Sequence, residues 1–427
     1  MSKPERALAS GMAAFRHVNF VLYVIERFFV VAGLEMLSVA VGWQVYEITR
    51  QPLDLGLVGL AQFLPNVFLF LIAGHAADRF SRKNLLLICN LGFALCCALL
   101  IVISAHNPSN VRAIYEVLVL LGVVRSFNSP AGRALLPILV PPDVFPNAVA
   151  WNATIFQGAT ILGPALGGVL YAALHGPSGV YSVGVAACLI ATVALSRVRV
   201  EHSARPREEV SAKTVLAGLD YIWSHKLILG VISLDLFAVL LGGAIALLPV
   251  YAREILRTGP WGLGLLRASP GIGAGIMAIL LAYRPLRRRV GSTMLVCVAA
   301  FGLFTIVFGI SHSLVLSMIS LVLVGASDMV SVVIRSTLVQ IATPDIVRGR
   351  VNAVEMIFIG ASNELGEFES GLTAHWFGTV PAVILGGIGT LVVVAFWTWM
   401  FPDLRNADRL SQHQQDTMDS VETASQV

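Results

Sequence analysis

The chain has 427 residues, of which 56% are hydrophobic and 13% are charged. Soluble globular proteins carry about 25% charged residues, so this composition excludes an ordinary soluble domain and indicates a membrane protein. Runs of about 20 apolar residues, the length that crosses a bilayer as a helix, recur from end to end. The formal charge is +4, with the basic residues spread between these runs, and nothing in that pattern indicates nucleic-acid binding.

The apolar runs predict twelve membrane-spanning helices. The first run is too long for the core of a cleavable signal peptide and is therefore predicted to be a retained span. Several runs exceed 25 residues, which favours tilted or kinked helices. In chain order the predicted spans are 17–46, 56–74, 84–105, 112–136, 147–173, 180–196, 227–252, 261–283, 292–311, 314–341, 350–376 and 381–401.

The segments between the predicted spans differ sharply in charge. If the N-terminus is cytoplasmic, the inner segments hold 20 Lys and Arg residues and the outer segments hold 4. Positively charged loops stay on the cytoplasmic side of a membrane. The sequence therefore predicts a multi-pass protein of the bacterial inner (cytoplasmic) membrane with both termini in the cytoplasm.

The two halves of the chain are related by an internal repeat. Shifted by 202 residues without a gap, nine residues between Ser129 and Ala159 fall on identical residues between Ser331 and Ala361. A duplicated six-helix unit is typical of one major class of secondary transporters. The predicted fold is an all-α membrane protein with two pseudo-symmetric six-helix bundles. The predicted segments are an N-terminal bundle (1–196), a cytoplasmic linker with an amphipathic helix (197–226), a C-terminal bundle (227–401) and a disordered cytoplasmic tail (402–427).

The loop after the second span carries a recognisable motif. Residues 74–83 read Gly-His-Ala-Ala-Asp-Arg-Phe-Ser-Arg-Lys, which resembles the signature loop of the major facilitator superfamily except for Ser81, where glycine is usual. The resemblance implies a gating loop in which Asp78 meets a helix N-terminus in the other half of the protein. The alternative is that these charges only determine the orientation of the spans in the membrane. The loop residues concerned are Asp78, Arg79, Arg82 and Lys83.

Two further segments are similar to proton-coupled exporters of the same superfamily. The fifth span contains Gly163, Pro164, Gly167 and Gly168, similar to the antiporter signature of drug/proton exchangers. Arg125 in the fourth span is similar to the arginine motif of that family. Segments 131–137 and 358–371 resemble the branch that contains siderophore exporters of the enterobactin type. The resemblance implies the superfamily's fold and export by antiport; simple packing through small residues is the alternative for the glycines.

Ionisable side chains in the middle of spans are the remaining candidates, because charges there are costly and tend to serve function. At about 1.5 Å rise per residue, Glu364 lies roughly 20 Å from the cytoplasmic end of its helix. Each of these residues has a structural alternative, a hydrogen-bonded or ionic packing contact. Asp235 and an Arg335–Glu355 contact are interpreted as structural, and Glu26 and Arg27 are expected to form an ion pair with another span. The predicted proton or substrate residues are Glu35, Arg125, Asp328, Glu364 and Glu367.

The sequence therefore predicts a proton-coupled exporter of small amphipathic molecules, drug-like or siderophore-like, that works by alternating access. The alternatives are a facilitator or importer of the same fold, for example for lysophospholipid, and a membrane receptor that does not transport. No nucleophile motif, metal-ligand spacing or phosphate loop indicates an enzyme, and no cofactor or metal is expected. The expected partners are a small-molecule substrate, protons and the lipid bilayer, with the protein as a monomer and without nucleic acid.

Overall fold

A computed structural model describes residues 11–106, 109–199, 212–284, 286 and 289–406, without the side chains of residues 70, 71, 77, 78, 212–215, 345 and 346. The predicted disordered tail lies outside the described residues from residue 407 onward, as does segment 200–211 of the predicted linker. The side chain of Asp78, from the predicted gating loop, also lies outside the description.

The described residues confirm an all-α fold. The first half contains six long helices, one for each predicted span, joined by short connections. These helices are α1 (Val18–Thr49), α2 (Pro52–Arg79), α3 (Arg82–His106), α4 (Val111–Leu135), α5 (Phe145–Ala173) and α6 (Pro177–Ser196).

The second half begins with the predicted amphipathic helix and continues with six long helices. A short helix, Pro402–Arg405, follows the last of them. The helices are α7 (Ala212–Ser224), α8 (Lys226–Leu241), α9 (Gly259–Tyr283), α10 (Val290–Ile310), α11 (Leu314–Ala342), α12 (Asp345–Phe377) and α13 (Thr379–Met400).

The seventh predicted span is a broken helix, which the sequence analysis did not predict. Helix α8 ends at Leu241, and after two glycines the chain continues as a 3₁₀ turn (Ala244–Leu247) and, after one further turn, a π-helix (Tyr251–Ile255). A methyl group at Gly243 would lie 2.7 Å from the carbonyl carbon of Gly366. The break therefore allows the backbone of the seventh span to approach α12 more closely than any side chain would permit.

Nine helical segments of the described residues are long and apolar enough to cross a membrane: α3, α5, α6, α9, α10, α11, α13, residues 52–69 of α2 and the whole segment Lys226–Ile255. The other three long helices, α1, α4 and α12, carry ionisable side chains such as Glu35, Arg125 and Glu364 within their lengths. These three helices hold four of the five predicted proton or substrate residues: Glu35, Arg125, Glu364 and Glu367.

One face of α3 shows how these helices meet lipid. Its exposed large side chains are Ile88, Leu91, Leu95, Leu99 and Val102, spaced three or four residues apart. That spacing places them on one stripe of a helix. A continuous apolar stripe exposed on a protein surface is expected where the neighbour is hydrocarbon and not water.

The chain forms two compact units. The N unit contains Met1–Arg50, Ala61–Val210 and Thr258–Ala268, and the C unit contains Gln51–Leu60, Ser211–Arg257 and Ser269–Val427. The first turns of α2 thus belong to the C unit, and the first turns of α9 belong to the N unit. The domain boundaries predicted near residues 196 and 227 did not include this exchange, and they stay a prediction.

Each unit has its own apolar core. In the N unit, a cluster from α1, α3, α4, α5 and α6 includes Phe20, Leu86 and Leu135, all of which are buried. In the C unit, a cluster from α8, α10, α11 and α13 includes Met294 and Ile334. These cores fix the helices against one another, so that polar side chains at the same depth must find partners within the bundle.

Helix α7 docks onto the C unit through one side. Ile222 is fully buried, and a methyl group at Gly218 would lie 2.6 Å from the carbonyl oxygen of Arg350 on α12. The phenol of Tyr221 donates a hydrogen bond to the carbonyl of Ala342, 3.3 Å away. The opposite side exposes Leu216 and Trp223, as expected for an amphipathic helix at a membrane surface.

We expect Gly218→Val to displace α7, because the added side chain would meet the backbone of α12 and overpacking costs about 1–3 kcal/mol. The thermal midpoint of the purified protein in detergent should fall by several degrees. Ala217→Val is the control, since Ala217 is exposed on the same helix and the substitution introduces the same β-branched side chain. Equal midpoints for the two variants would show that α7 is not docked.

Candidate functional site

Glu35 lies half-buried in the middle of α1, against the glycine–proline segment of α5. A methyl group at Gly163 would lie 2.6 Å from Cβ of Glu35 and 2.9 Å from the carbonyl oxygen of Ala32. One turn further along, a methyl group at Gly167 would lie 2.9 Å from Cα of Met36. The antiporter-like glycines therefore bring α5 into backbone contact with α1 at the predicted proton residue.

Gly168, the last residue of that motif, faces α9. A methyl group there would lie 2.5 Å from the carbonyl oxygen of Pro260 and 2.8 Å from Cα of Gly264. The reverse contact is equally close, since a methyl group at Gly264 would lie 2.6 Å from the carbonyl oxygen of Pro164. Helix α5 is therefore packed tightly on two sides, with α1 on one and the first turns of α9 on the other.

Arg125 projects from α4 and is exposed. Its guanidinium donates a hydrogen bond to Oε1 of Gln62 on α2, at 3.1 Å. A methyl group at Gly122, one turn earlier, would collide with the backbone carbonyl of Gln62, so α2 and α4 touch at this level. The arginine is thus held by a neutral amide, which orients it without cancelling its charge.

Glu26 and Arg27 do not form the ion pair with another span that the sequence analysis expected. Oε1 of Glu26 accepts a hydrogen bond from the amide of Asn90 on α3, at 3.1 Å. The guanidinium of Arg27 lies 3.5 Å from Oδ1 of Asn128 and 5.6 Å from the ring centroid of Phe156. Adjacent residues point to different sides of a helix, so each side chain reaches a different neighbour, and amide groups and an aromatic ring take the place of a counter-ion.

The two glutamates of α12 meet at one place in the C unit. A methyl group at Gly59 of α2 would lie 2.9 Å from Oε2 of Glu367 and 3.4 Å from Oε2 of Glu364. The two carboxylate oxygens are therefore within about 6 Å of each other. The i, i+3 spacing does place Glu364 and Glu367 on a shared helix face, and that face lies against a glycine of α2.

A buried ion network joins three helices of the C unit. The guanidinium of Arg335 on α11 contacts Oδ2 of Asp235 on α8 through NH1, and its Nε lies 3.2 Å from Oε1 of Glu355 on α12. The exposed fractions of the three side chains are 6% for Arg335, 7% for Asp235 and 12% for Glu355. The contact of Arg335 with Glu355 was expected from their predicted depths in the membrane, whereas the contact of Arg335 with Asp235 was not.

Asp328 lies beside this network. Together with Asp235 and Ser331 it lines a cavity that has room for about one water molecule. The hydroxyl of Ser331 donates a hydrogen bond to Oδ1 of Asp235, at 3.4 Å. Of the five ionisable residues predicted as a site, Asp328 thus lies next to a buried charge cluster. Asp235 was not predicted to belong to that cluster, and Glu355 was predicted only as a structural partner of Arg335.

The basic residues of the loop after α2 bind helix ends. Arg82 donates to the carbonyl oxygen of Ala134 near the end of α4, at 3.0 Å. Lys83 donates to the carbonyl oxygens of Ser196 and Val198 at the end of α6, at 2.7 Å and 2.6 Å. Cations at helix C-termini satisfy carbonyls that have no partner in the helix and oppose the negative end of the helix dipole. The predicted latch through Asp78 stays a prediction.

Residues 9–427 match the transmembrane secretion effector family. The chain belongs to this family. It is a transporter of the major facilitator superfamily and not an enzyme, as the sequence analysis predicted.

The chain is similar to proteins named as enterobactin exporters. Enterobactin exporter EntS of Citrobacter koseri is 28% identical over 386 residues, which cover 88% of this chain and 86% of the relative. EntS of Escherichia coli O81 (strain ED1a) is 27% identical over the same length and with the same coverage. The similarity thus extends over nearly the whole transporter and is not confined to one half.

Solved transporter structures share the fold at low sequence identity. A bacterial homologue of the human lysosomal transporter Spinster, in an inward-facing and occupied conformation, has a TM-score of 0.69 at 12% identity and covers 93% of this chain and 97% of its own. A D-xylose–proton symporter has a TM-score of 0.66 at 15% identity and covers 90% of this chain and 98% of its own. At these identities the comparison shows the fold alone.

The contact of α5 with Glu35 leads to a direct test. We expect Gly163→Val to reduce the amount of folded transporter in the membrane, because the new side chain would meet both the backbone of α1 and Cβ of Glu35. The measurement is the monodisperse peak in fluorescence-detected size exclusion, followed by the thermal midpoint.

Gly158→Val is the matched control on the same helix, since nothing lies within 4 Å of a methyl group at Gly158. Both substitutions place the same β-branched residue in α5, so their helix propensities are equal. If Gly163→Val and Gly158→Val give the same yield and midpoint, the close contact of α5 with α1 is contradicted.

Proposed function

We propose that this transporter exports small amphipathic molecules, drug-like or siderophore-like, in exchange for protons, by alternating access. The observation that carries the proposal is the match to a secretion family over residues 9–427, together with relatives named as exporters of enterobactin over 88% of the chain. Export of an amphipathic molecule against its gradient needs an energy source. Proton entry through the transporter is the source that mid-span carboxylates can couple, because a low-dielectric environment favours proton uptake by a carboxylate.

The contact of Glu35 with the antiporter-like segment supports antiport. Glu35 is placed where α1 and α5 touch at Gly163, so a change in its protonation would act on the tightest contact of the two helices. Glu364 and Glu367 occupy a comparable place, against Gly59 of α2. We propose that substrate or proton binding involves the five predicted residues: Glu35, Arg125, Asp328, Glu364 and Glu367.

The other predicted elements have gating and packing roles in this proposal. Gly163, Pro164, Gly167 and Gly168 form the antiporter-like surface of α5. The loop residues Asp78, Arg79, Arg82 and Lys83 control closure of the cytoplasmic side. The protein acts as a monomer in the bacterial inner membrane, with protons, lipid and a small-molecule substrate as its partners and both termini in the cytoplasm.

The proposed function is tested in a bacterial host that lacks its own exporters. Cells with and without the protein are compared for resistance to a panel of toxic compounds and for secretion of enterobactin and other siderophores. Export that collapses when the proton gradient is dissipated supports the proposal. Movement that only follows the substrate gradient and ignores the proton gradient would assign a facilitator, and no effect on any compound would leave a receptor as the better interpretation.

The orientation follows from the charge distribution and is tested with reporter fusions. A reporter fused after Lys213 should be active only in the cytoplasm, and one fused near Asn107 should be active only on the outer side. Alkaline phosphatase and a fluorescent protein that matures only in the cytoplasm make opposite readouts at each site. The reverse pattern would contradict the positive-inside argument.

We expect at least one of Glu35→Gln, Glu364→Gln and Glu367→Gln to abolish proton-driven export, with Glu35 the leading choice. Glutamine keeps the size of glutamate and removes its ionisation. The purified variants are reconstituted in liposomes, and uptake of the active compound is followed with an imposed pH gradient. Glu116→Gln is the control, because Glu116 is exposed and its ion pair with Arg112 lies at the surface. Wild-type rates in all three variants would show that these carboxylates are structural.

A further inference from the structure

The carboxylates around Arg335 outnumber the positive charge that holds them. Arg335 contacts Asp235 and Glu355, and Asp328 lines the cavity that adjoins Asp235. These groups lie on three different helices, α8, α11 and α12. Fully ionised, they would carry three negative charges against one positive charge in a buried part of the C unit.

We infer that Asp235, Asp328 and Glu355 share at least one exchangeable proton beside Arg335, and that this network is a proton-binding site of the C unit. The inference deepens the proposed function and rests on it, because it names carboxylates that would carry the coupling proton. Asp235 and Glu355 are new to the site, and Arg335 is a positioning residue that holds the two together.

The excess of negative charge around Arg335 requires that the network bind a proton. Arginine does not release its proton inside proteins, so the single positive charge of the network is permanent. An uncompensated ion in a buried site costs several kcal/mol, and a carboxylate removes this cost by binding a proton. One proton leaves the network with one excess negative charge and two make it neutral, so at least one carboxylate is protonated in the resting transporter.

The position of Asp328 indicates that its carboxylate is the one that exchanges the proton. Asp328, Ser331 and Arg335 follow at i, i+3 and i+7, which places them along one face of α11. Within the described part of the chain Asp328 makes no hydrogen bond, whereas Asp235 already accepts one from Ser331 and contacts Arg335. A carboxyl group that faces a cavity without a fixed partner can take up and release a proton at the least structural cost.

The residues that line this cavity in the described part of the chain include no cationic side chain. Helix α10 contributes Val298 and Phe301 to its lining, and α8 contributes Ala238 and Val239 beside Asp235. The remaining lining residues are the polar Ser327 and Ser331 of α11. The ionisable groups of the network are therefore Asp235, Asp328, Arg335 and Glu355. The protonation state of each carboxylate depends on the charges of the other three groups.

A proton fits the site better than a metal cation. The guanidinium already occupies one oxygen of Asp235 and approaches one oxygen of Glu355. Hard metal ions need about six to eight oxygen ligands, and the cavity has room for about one water molecule. In the residues that the structure describes, no group of three or more His, Cys, Asp or Glu side chains is arranged to hold a metal ion.

The internal repeat argues that the network is not a requirement of the fold. Shifted by 202 residues, Arg335 corresponds to Arg133, so the arginine is common to both halves. Asp328 corresponds to Ser126, and Glu355 corresponds to Ala153. The hydroxyl of Ser126 simply donates to the carbonyl of Gly122 in its own helix, at 2.8 Å. The equivalent helices of the N unit, α4 and α5, therefore fold without acidic residues at these positions. The two acids are an additional feature of the C unit.

The direct test is infrared spectroscopy of the purified, full-length transporter in liposomes at neutral pH, without substrate. A protonated carboxyl group has a carbonyl stretching band that shifts in D₂O, and an ionised one lacks it. We expect the band of the wild type to be lost or diminished in Asp328→Asn, and restored at least in part in Asp328→Glu. Asp328→Asn breaks neither of the two contacts of Arg335, so the variant should fold.

Asp220→Asn is the matched control, because Asp220 is exposed on α7 and the chemical change is the same. Glu355→Gln provides a second variant within the network. If neither Asp328→Asn nor Glu355→Gln alters the wild-type band, the carboxylates are ionised at rest and the inference is wrong. A band that appears only when sodium is withdrawn would also overturn it, in favour of a metal cation.

Transport measurements separate this inference from the proposed function. With enterobactin as the probe, Asp328→Asn should lose accumulation driven by a pH gradient. If the wild type itself does not respond to the gradient, the proposed coupling fails, and the infrared result still decides whether the network holds a proton. Gradient-driven accumulation at wild-type level in Asp328→Asn would exclude the network from coupling.

Discussion

A polar side chain that these helices carry into the bilayer is costly unless it finds a partner inside the protein, because hydrocarbon offers none. The backbone meets this demand by being helical almost throughout. The side chains meet it with partners on neighbouring helices. In the N unit, Gln44 accepts from the phenol of Tyr181 at 2.7 Å and donates to Ser104 at 3.0 Å, and Glu26 accepts from Asn90. Packing and polar pairing are thus decided together at each helix contact.

Close helix contacts at glycines are the second constraint, and they occur in both units. In the N unit, a methyl group at Gly168 of α5 would lie 2.8 Å from Cα of Gly264 at the start of α9. In the C unit, a methyl group at Gly371 of α12 would lie 2.9 Å from Cα of Gly56 at the start of α2. Helices α5 and α12 are repeat partners, and so are α2 and α9. Corresponding helices of the two units are thus in contact through glycines, although the positions differ, since Gly168 falls on Ser370 and Gly371 on Val169 when the halves are shifted by 202 residues.

The sequence predicted what depends on hydropathy and local pattern: the all-α fold of long apolar helices and the shared face of Glu364 and Glu367. It missed what depends on which helices are neighbours. The partner of Arg125 proved to be Gln62 on another helix. Because Gln62 is neutral, a search for ionisable residues within spans does not find it. Counting residues gives the depth of Asp235 in the membrane but not the direction in which its side chain leaves the helix. The sequence therefore could not show whether this side chain faces Arg335, lipid or solvent, and Asp235 was interpreted as structural.

The broken seventh span was missed for a different reason. The segment Lys226–Ile255 is apolar throughout, so hydropathy gives no sign of a break. Two consecutive glycines at 242 and 243 were the available signal, but glycine is common in membrane helices, where it usually serves packing without ending the helix. Only the approach of Gly243 to Gly366 explains why the helix ends there, and that contact is tertiary.

The two halves of the chain differ at the buried ionisable positions around their shared arginine. Close backbone approach is needed for either half to fold, since a side chain at Gly168 or Gly371 would push the helices apart. The charged positions are under no such common requirement. At the level of the shared arginine, the C unit has Asp328 and Glu355 where the N unit has Ser126 and Ala153. Because placing an excess of acid in a buried site costs stability, its presence in one copy of a duplicated unit is best explained by the work that this copy does.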